Sequence, residues 1–132
     1  MITVTKSDLA HLEEYIEYFK KIWDSRMLTN NGELVQLFVQ KLKEFFRLKD
    51  LAVASNGTLA LQLALKSICS KGDTITTPFT FAATTNVLIW GGYKPVFAGI
   101  DYTTYNINPN DVERKITNDA VAILAAHVYG TS

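Results

Sequence analysis

The sequence predicts an α/β domain whose mainly parallel sheet is flanked by helices on both faces and preceded by two amphipathic helices. Three observations carry that expectation. Short runs rich in apolar or β-branched residues, "LAVAS" (51–55), "TITT" (74–77), "KPVFAGI" (94–100) and "AVAILAAHV" (120–128), alternate with helical patterns, which is the order that builds βαβ units. These runs are largely apolar, as strands covered on both faces require. Ahead of them, two stripes of apolar residues recur at steps of three and four, the period of a helix face.

The first stripe is Leu9, Leu12, Ile16, Phe19 and Trp23, within a helix expected over residues 8–23. Residues 29–32, "TNNG", form a polar loop, and Leu34, Phe38, Leu42 and Phe45 trace the second helix. Both stripes are expected to be packing surfaces. A buried strand is expected at 51–55, then a helix over 58–69. The second strand, near 74–77, ends at Pro78, which has no N–H to give a ladder. A helix over about 80–90 stops at Gly91 and Gly92. After the third strand, Asn108 caps a short helix with Pro109 at its first position, and the fourth strand follows.

The 132 residues fit one domain of ordinary composition, 48% hydrophobic and 20% charged. Thirteen basic residues balance thirteen acidic ones, so no electrostatic footprint for nucleic acid is present. No window is apolar enough to span a membrane, and the N-terminus lacks the pattern of a secretion signal. Cys69 alone cannot form an internal disulfide, and near the end of an apolar helix it is expected to be a buried thiol. A cytoplasmic protein is the expectation.

The stretch with the most chemistry is "SNGT" (55–58), at the mouth of the helix "LALQLAL". A helix start exposes N–H groups without partners and favours negative charge, so this turn can seat a phosphate. Alternatively, Ser55 or Asn56 caps the helix and Gly57 relieves a tight turn. Its place at the carboxyl end of a strand favours a ligand. A dinucleotide fingerprint and a nucleophile elbow are both absent. His11 and His127 have no Cys or carboxylate at ligand spacing, so no metal is expected. His11 reads as a solvated helix-face residue, and the carboxylates of "EEYIEYFKK" as helix charge pairs.

Several segments together resemble the pyridoxal-phosphate-dependent sugar aminotransferases of the DegT/StrS kind. They are "LTNNGELV" (28–35), "SNGTLALQLAL" (55–65), "GDTITTPFTFAATTN" (72–86), "KPVFAGID" (94–101), "YNINP" (105–109) and "HVYG" (127–130). The resemblance implies the N-terminal part of the fold type I aminotransferase large domain, with residues 1–48 as a helical segment and 49–132 as the first α/β units. It implies Gly57 and Thr58 as ligands of the cofactor phosphate and Phe81 against the pyridine ring of pyridoxal 5′-phosphate. Thr29 and Asn30 would contact a nucleotide-linked keto sugar, with glutamate as amino donor and a homodimer as the working form. His127 and Tyr129 are expected to end the fourth strand, and Asp101 to organise a turn.

The family carries its Schiff-base lysine and pyridine-nitrogen aspartate in later segments, so this chain alone is expected to supply no catalytic residue and no activity. The other expectation is a truncated, non-catalytic product that only associates with itself or a partner. Arg47 stands where relatives often have glycine, Val39 where an acid is common and Gly99 where aspartate is frequent. A left-handed cap is cheap only for glycine, so a different helix ending is expected at Arg47.

Overall fold

The computed structural model describes residues 6–68 and 70–130; Cys69, and with it the expected buried thiol, lies outside them. Two compact units divide the chain, Met1–Val53 and Ala54–Ser132.

The first unit contains helices α1 (Leu12–Ser25) and α2 (Glu33–Phe46). α1 starts later than residue 8, with His11 exposed at its N-cap position and giving no side-chain cap. Neither helix has a buried residue. The first stripe, expected to pack, is instead exposed, Phe19 and Trp23 at 58% and 70%, and in the second Phe38 and Phe45 are exposed while Leu34 and Leu42 are half-buried. Two helices of 14 residues offer too little surface to cover both apolar faces.

α2 ends with Arg47 in the left-handed region, φ 54°, while Leu48 N–H donates to the Lys43 carbonyl at 2.9 Å. The expected difference at this position is therefore absent: the ending keeps the geometry glycine would adopt, and arginine bears its steric cost. Arg47→Gly is expected to stabilise the first unit by about 1 kcal/mol, the left-handed penalty less the entropy glycine loses on folding. A raised denaturant midpoint with unchanged slope would show it.

The second unit is built on three parallel strands in the order β2-β1-β3: β1 (Asp73–Thr76), β2 (Lys94–Phe97) and β3 (Ala120–Leu124). The helices are α3 (Gly57–Ile68), α4 (Ala82–Gly91) and α5 (Pro109–Lys115), followed by a 3-10 turn, Val128–Gly130. Residues 51–55 form no strand. A ladder needs a neighbour, and among the described residues nothing pairs with this run; its short apolar pattern could not reveal that. The third and fourth strands are also shorter than expected, ending at Phe97 and Leu124.

Helices pack on both faces of the sheet, with Phe97 and Ile123 left exposed. Leu65 of α3, Val87 and Leu88 of α4 and Tyr93 pack with Val121 and Leu124, while Ile75, Ala98 and Val112 of α5 pack with Val96, Ile107 and Ala120. Along β1 the fully buried Thr74, Ile75 and Thr76 alternate between the faces. Thr76 Oγ1 donates to the Leu124 carbonyl at 2.8 Å, fastening β1 to β3. Gly92 closes α4 at φ 78°, with Tyr93 N–H donating to Leu88 O at 2.9 Å. Asn108 caps α5 by accepting from Asn110 N–H at 3.0 Å.

Candidate functional site

Chain order and strand order together locate the site. From central β1 the chain moves outward to β2 and returns to β3 on the other side, and in such sheets ligands settle beyond the carboxyl ends where direction reverses. Residues 78–81, leaving β1, and 126–128, beyond β3, line a cleft of about 380 Å³ there. Phe81 is the N-cap of α4, with extended backbone (ψ 140°), and the residue is 81% exposed. Its ring is free to stack on a flat ligand. Thr80 and Thr84 hydroxyls lie 3.0 Å apart and tie the loop to the helix.

α3 begins at Gly57, but not at the carboxyl end of a strand as expected, since residues 51–55 form none. Asn56 is its cap: its Oδ1 accepts from Leu59 N–H at 2.9 Å and its carbonyl from Ala60 N–H at 3.1 Å. Among the described residues, no partner takes the N–H groups of Gly57 and Thr58 or the Thr58 hydroxyl. Gly57 has no left-handed φ, and a Cβ there would meet nothing within 4 Å. The turn itself does not demand glycine, so the expectation that Gly57 relieves a tight turn fails. Unclaimed donors beside an open approach fit a phosphate.

The other expected residues fall elsewhere. Thr29 and Asn30 are exposed in the bend between α1 and α2, in the first unit, where Thr29 lines a cavity of about 200 Å³ with Ile22, Met27 and Leu34. Gly57 and Thr58 do not line the Phe81 cleft, whereas His127 does. His127 and Tyr129 do not end a strand: β3 stops at Leu124, His127 is exposed in the following coil, and Tyr129 sits in the 3-10 turn at φ 57°. Among the described residues no group of three or more His, Cys, Asp or Glu could hold a metal, and no helix is long and apolar enough to cross a membrane.

Asp101 organises a turn, as expected. Its Oδ1 accepts from Thr103 N–H and Thr104 N–H, both at 2.9 Å. Those bonds, Thr104's first, hold its carboxyl below the ordinary value of 3.8. Sequence reasoning passed over what surrounds this turn: Phe79, Tyr105 and Tyr129 meet as three rings, and Asn106 Oδ1 accepts from Val128 N–H at 3.0 Å.

Solved structures place this architecture among pyridoxal-phosphate-dependent aminotransferases of fold type I. The crystal structure of DesI, obtained in the presence of its TDP-sugar product, superposes with a TM-score of 0.83 at 32% identity, over 91% of this chain and 31% of DesI. NtdA from Bacillus subtilis, with bound cofactor PMP, superposes with a TM-score of 0.84 at 25% identity, over 92% of this chain and 28% of that one. Residues 10–132 match the DegT/DnrJ/EryC1/StrS aminotransferase family, and the chain belongs to it. The dTDP-4-amino-4,6-dideoxy-D-glucose transaminase of Escherichia coli is 40% identical over 98% of this chain and 35% of its own length. The GDP-perosamine synthase of Vibrio cholerae is 34% identical over 86% and 32%. The chain thus spans about a third of the length of the curated relatives it matches.

Proposed function

We propose that this chain forms part of a pyridoxal-phosphate-dependent aminotransferase that moves an amino group from glutamate to a nucleotide-linked keto sugar, in the synthesis of amino sugars for cell-surface polysaccharide. The observation that carries the reading is the start of α3, where the N–H groups of Gly57 and Thr58 stand unclaimed and the space a Gly57 Cβ would take is open. These donors would hold the cofactor phosphate with the Thr58 hydroxyl, and the exposed Phe81 face would lie against its ring. The bound cofactor supplies the electron sink for amino transfer. This chain's share is to bind and orient it.

Thr29 and Asn30 are proposed to contact the sugar nucleotide. The working form is proposed to be a cytoplasmic homodimer, consistent with the apolar faces left open on α1 and α2. A variant separates the phosphate reading from a plain helix start. Gly57→Ala meets no protein atom and should leave thermal stability equal or slightly raised, since alanine suits a helix better. It should nevertheless weaken pyridoxamine 5′-phosphate binding about tenfold, the loss of roughly 1.4 kcal/mol as the methyl group crowds the phosphate. Unchanged affinity, measured by calorimetric titration, would leave Asn56 capping as the turn's whole purpose.

A further inference from the structure

We propose that the loop of residues 100–107 is a bracket that sets the spacing of the two cleft walls, with Tyr105 and Asn106 as positioning residues for the ring-binding face of Phe81; this rests on the cofactor reading above. The walls descend from different strands, β1 and β3, and beyond Thr76 and Leu124 the ladder no longer holds them in register. The loop after β2 reaches both. On one side the Tyr105 ring lies 5.7 Å from the ring of Phe79, two residues before Phe81. On the other it meets Tyr129 edge-on at 5.9 Å, and Phe79 and Tyr129 close the triangle at 6.4 Å. Asn106 adds a polar tie to the second wall, its Oδ1 accepting from Val128 N–H beside His127.

The loop is stiff enough to act as a bracket. Asp101 N–H donates to Asn106 O at 2.9 Å, Tyr105 N–H donates to Asp101 O at 2.8 Å, and Ile100 bridges Ile107. Ile107 packs in the core cluster of Ile75, so the bracket is footed on β1, the strand whose following loop leads to Phe81. Tyr105 itself has φ 60°, a conformation that bulky side chains rarely adopt. Glycine or asparagine would be relaxed there. A strained tyrosine whose ring packs on Phe79, a residue of the cleft wall, points to a need for its ring rather than for its backbone.

The test uses Tyr105→Gly, which relaxes the backbone and deletes the ring, and Tyr105→Phe, which keeps the ring, with pyridoxamine 5′-phosphate and inorganic phosphate as probes. Tyr105→Gly should retain or raise the melting temperature and lose about tenfold in pyridoxamine 5′-phosphate affinity, the order of an aromatic pair's coupling. Inorganic phosphate should bind as before, and Tyr105→Phe should bind both probes like the parent. Should Tyr105→Gly fold poorly, Asn106→Ala must show the same split between probes together with faster hydrogen exchange at Val128. Parent-like pyridoxamine 5′-phosphate binding in the folded variants, or equal losses for both probes, overturns the bracket alone. A parent chain that binds neither probe overturns the cofactor reading and the bracket with it.

Discussion

Ile75→Ala is expected to destabilise the second unit by about 2–5 kcal/mol, the range for truncating a large buried aliphatic side chain. Ile75 is fully buried on the central strand, with Ala98 and Val112 packed on it. β1 pairs with β2 on one side and β3 on the other, in register Ile75 to Val96 and Ile75 to Ile123, so relaxation at this point disturbs both ladders. The cavity cannot collapse without moving β1, and β1 carries the wall of residues 78–81. Denaturant unfolding should show the loss as a lower midpoint, whereas Ile75→Val, deleting one methylene group, should cost only about 0.5–1.5 kcal/mol. A loss below about 1 kcal/mol for Ile75→Ala would mean that the strand is not clamped between two packed faces.

Thr58→Val carries the second large effect, on binding rather than folding. The half-buried Thr58 hydroxyl has no partner among the described residues, so the isosteric valine strands nothing in the fold and should shift stability by less than about 0.5 kcal/mol. A hydrogen bond to a charged group contributes on the order of 1.5–3 kcal/mol. Pyridoxamine 5′-phosphate affinity should therefore fall roughly 10- to 100-fold, while affinity for dephosphorylated pyridoxamine should not change. Equal affinity of variant and parent for the phosphorylated probe would leave Thr58 as an ordinary second helix residue.

Much of the fold is legible from sequence because its signals are local. The stripes of α1 and α2, Pro109 beside Asn108, and Gly92 closing α4 each declare themselves within a few residues. Residues 51–55 do not, because a short apolar run states that a segment is buried or extended but not that a neighbour exists to pair with it. Nor could the fate of the two stripes be read: periodicity identifies an apolar face, and only the surroundings decide whether anything covers it. Arg47 is a third case, since its left-handed backbone is imposed by the Leu48 to Lys43 bond closing α2 and arginine gives no hint of it.

The site divides along the same line. The start of α3 is legible as a candidate anion site because unclaimed N–H groups are a property of every helix start, and the structure adds that Asn56 takes the Leu59 donor and leaves those of Gly57 and Thr58. Phe81 is legible only through the family resemblance; by residue type alone it is one aromatic among many. Tyr105 and Asn106 open the matched segment "YNINP", but their link to the cleft escaped notice because it lies in three loops meeting, 79, 105 and 129 being far apart in sequence. Tyrosine is also the wrong residue by which to predict a left-handed turn.

The α3 N-terminus is proposed as a phosphate site and not merely a capped helix. The most direct measurement is amide chemical-shift mapping of the isotopically labelled chain during titration with pyridoxamine 5′-phosphate. Saturable shifts are expected at the Gly57 and Thr58 amides and at Phe81, with a smaller shift at Leu59, whose N–H already serves Asn56. Saturable binding that leaves Gly57 and Thr58 unmoved, or no binding at all, would contradict the proposal.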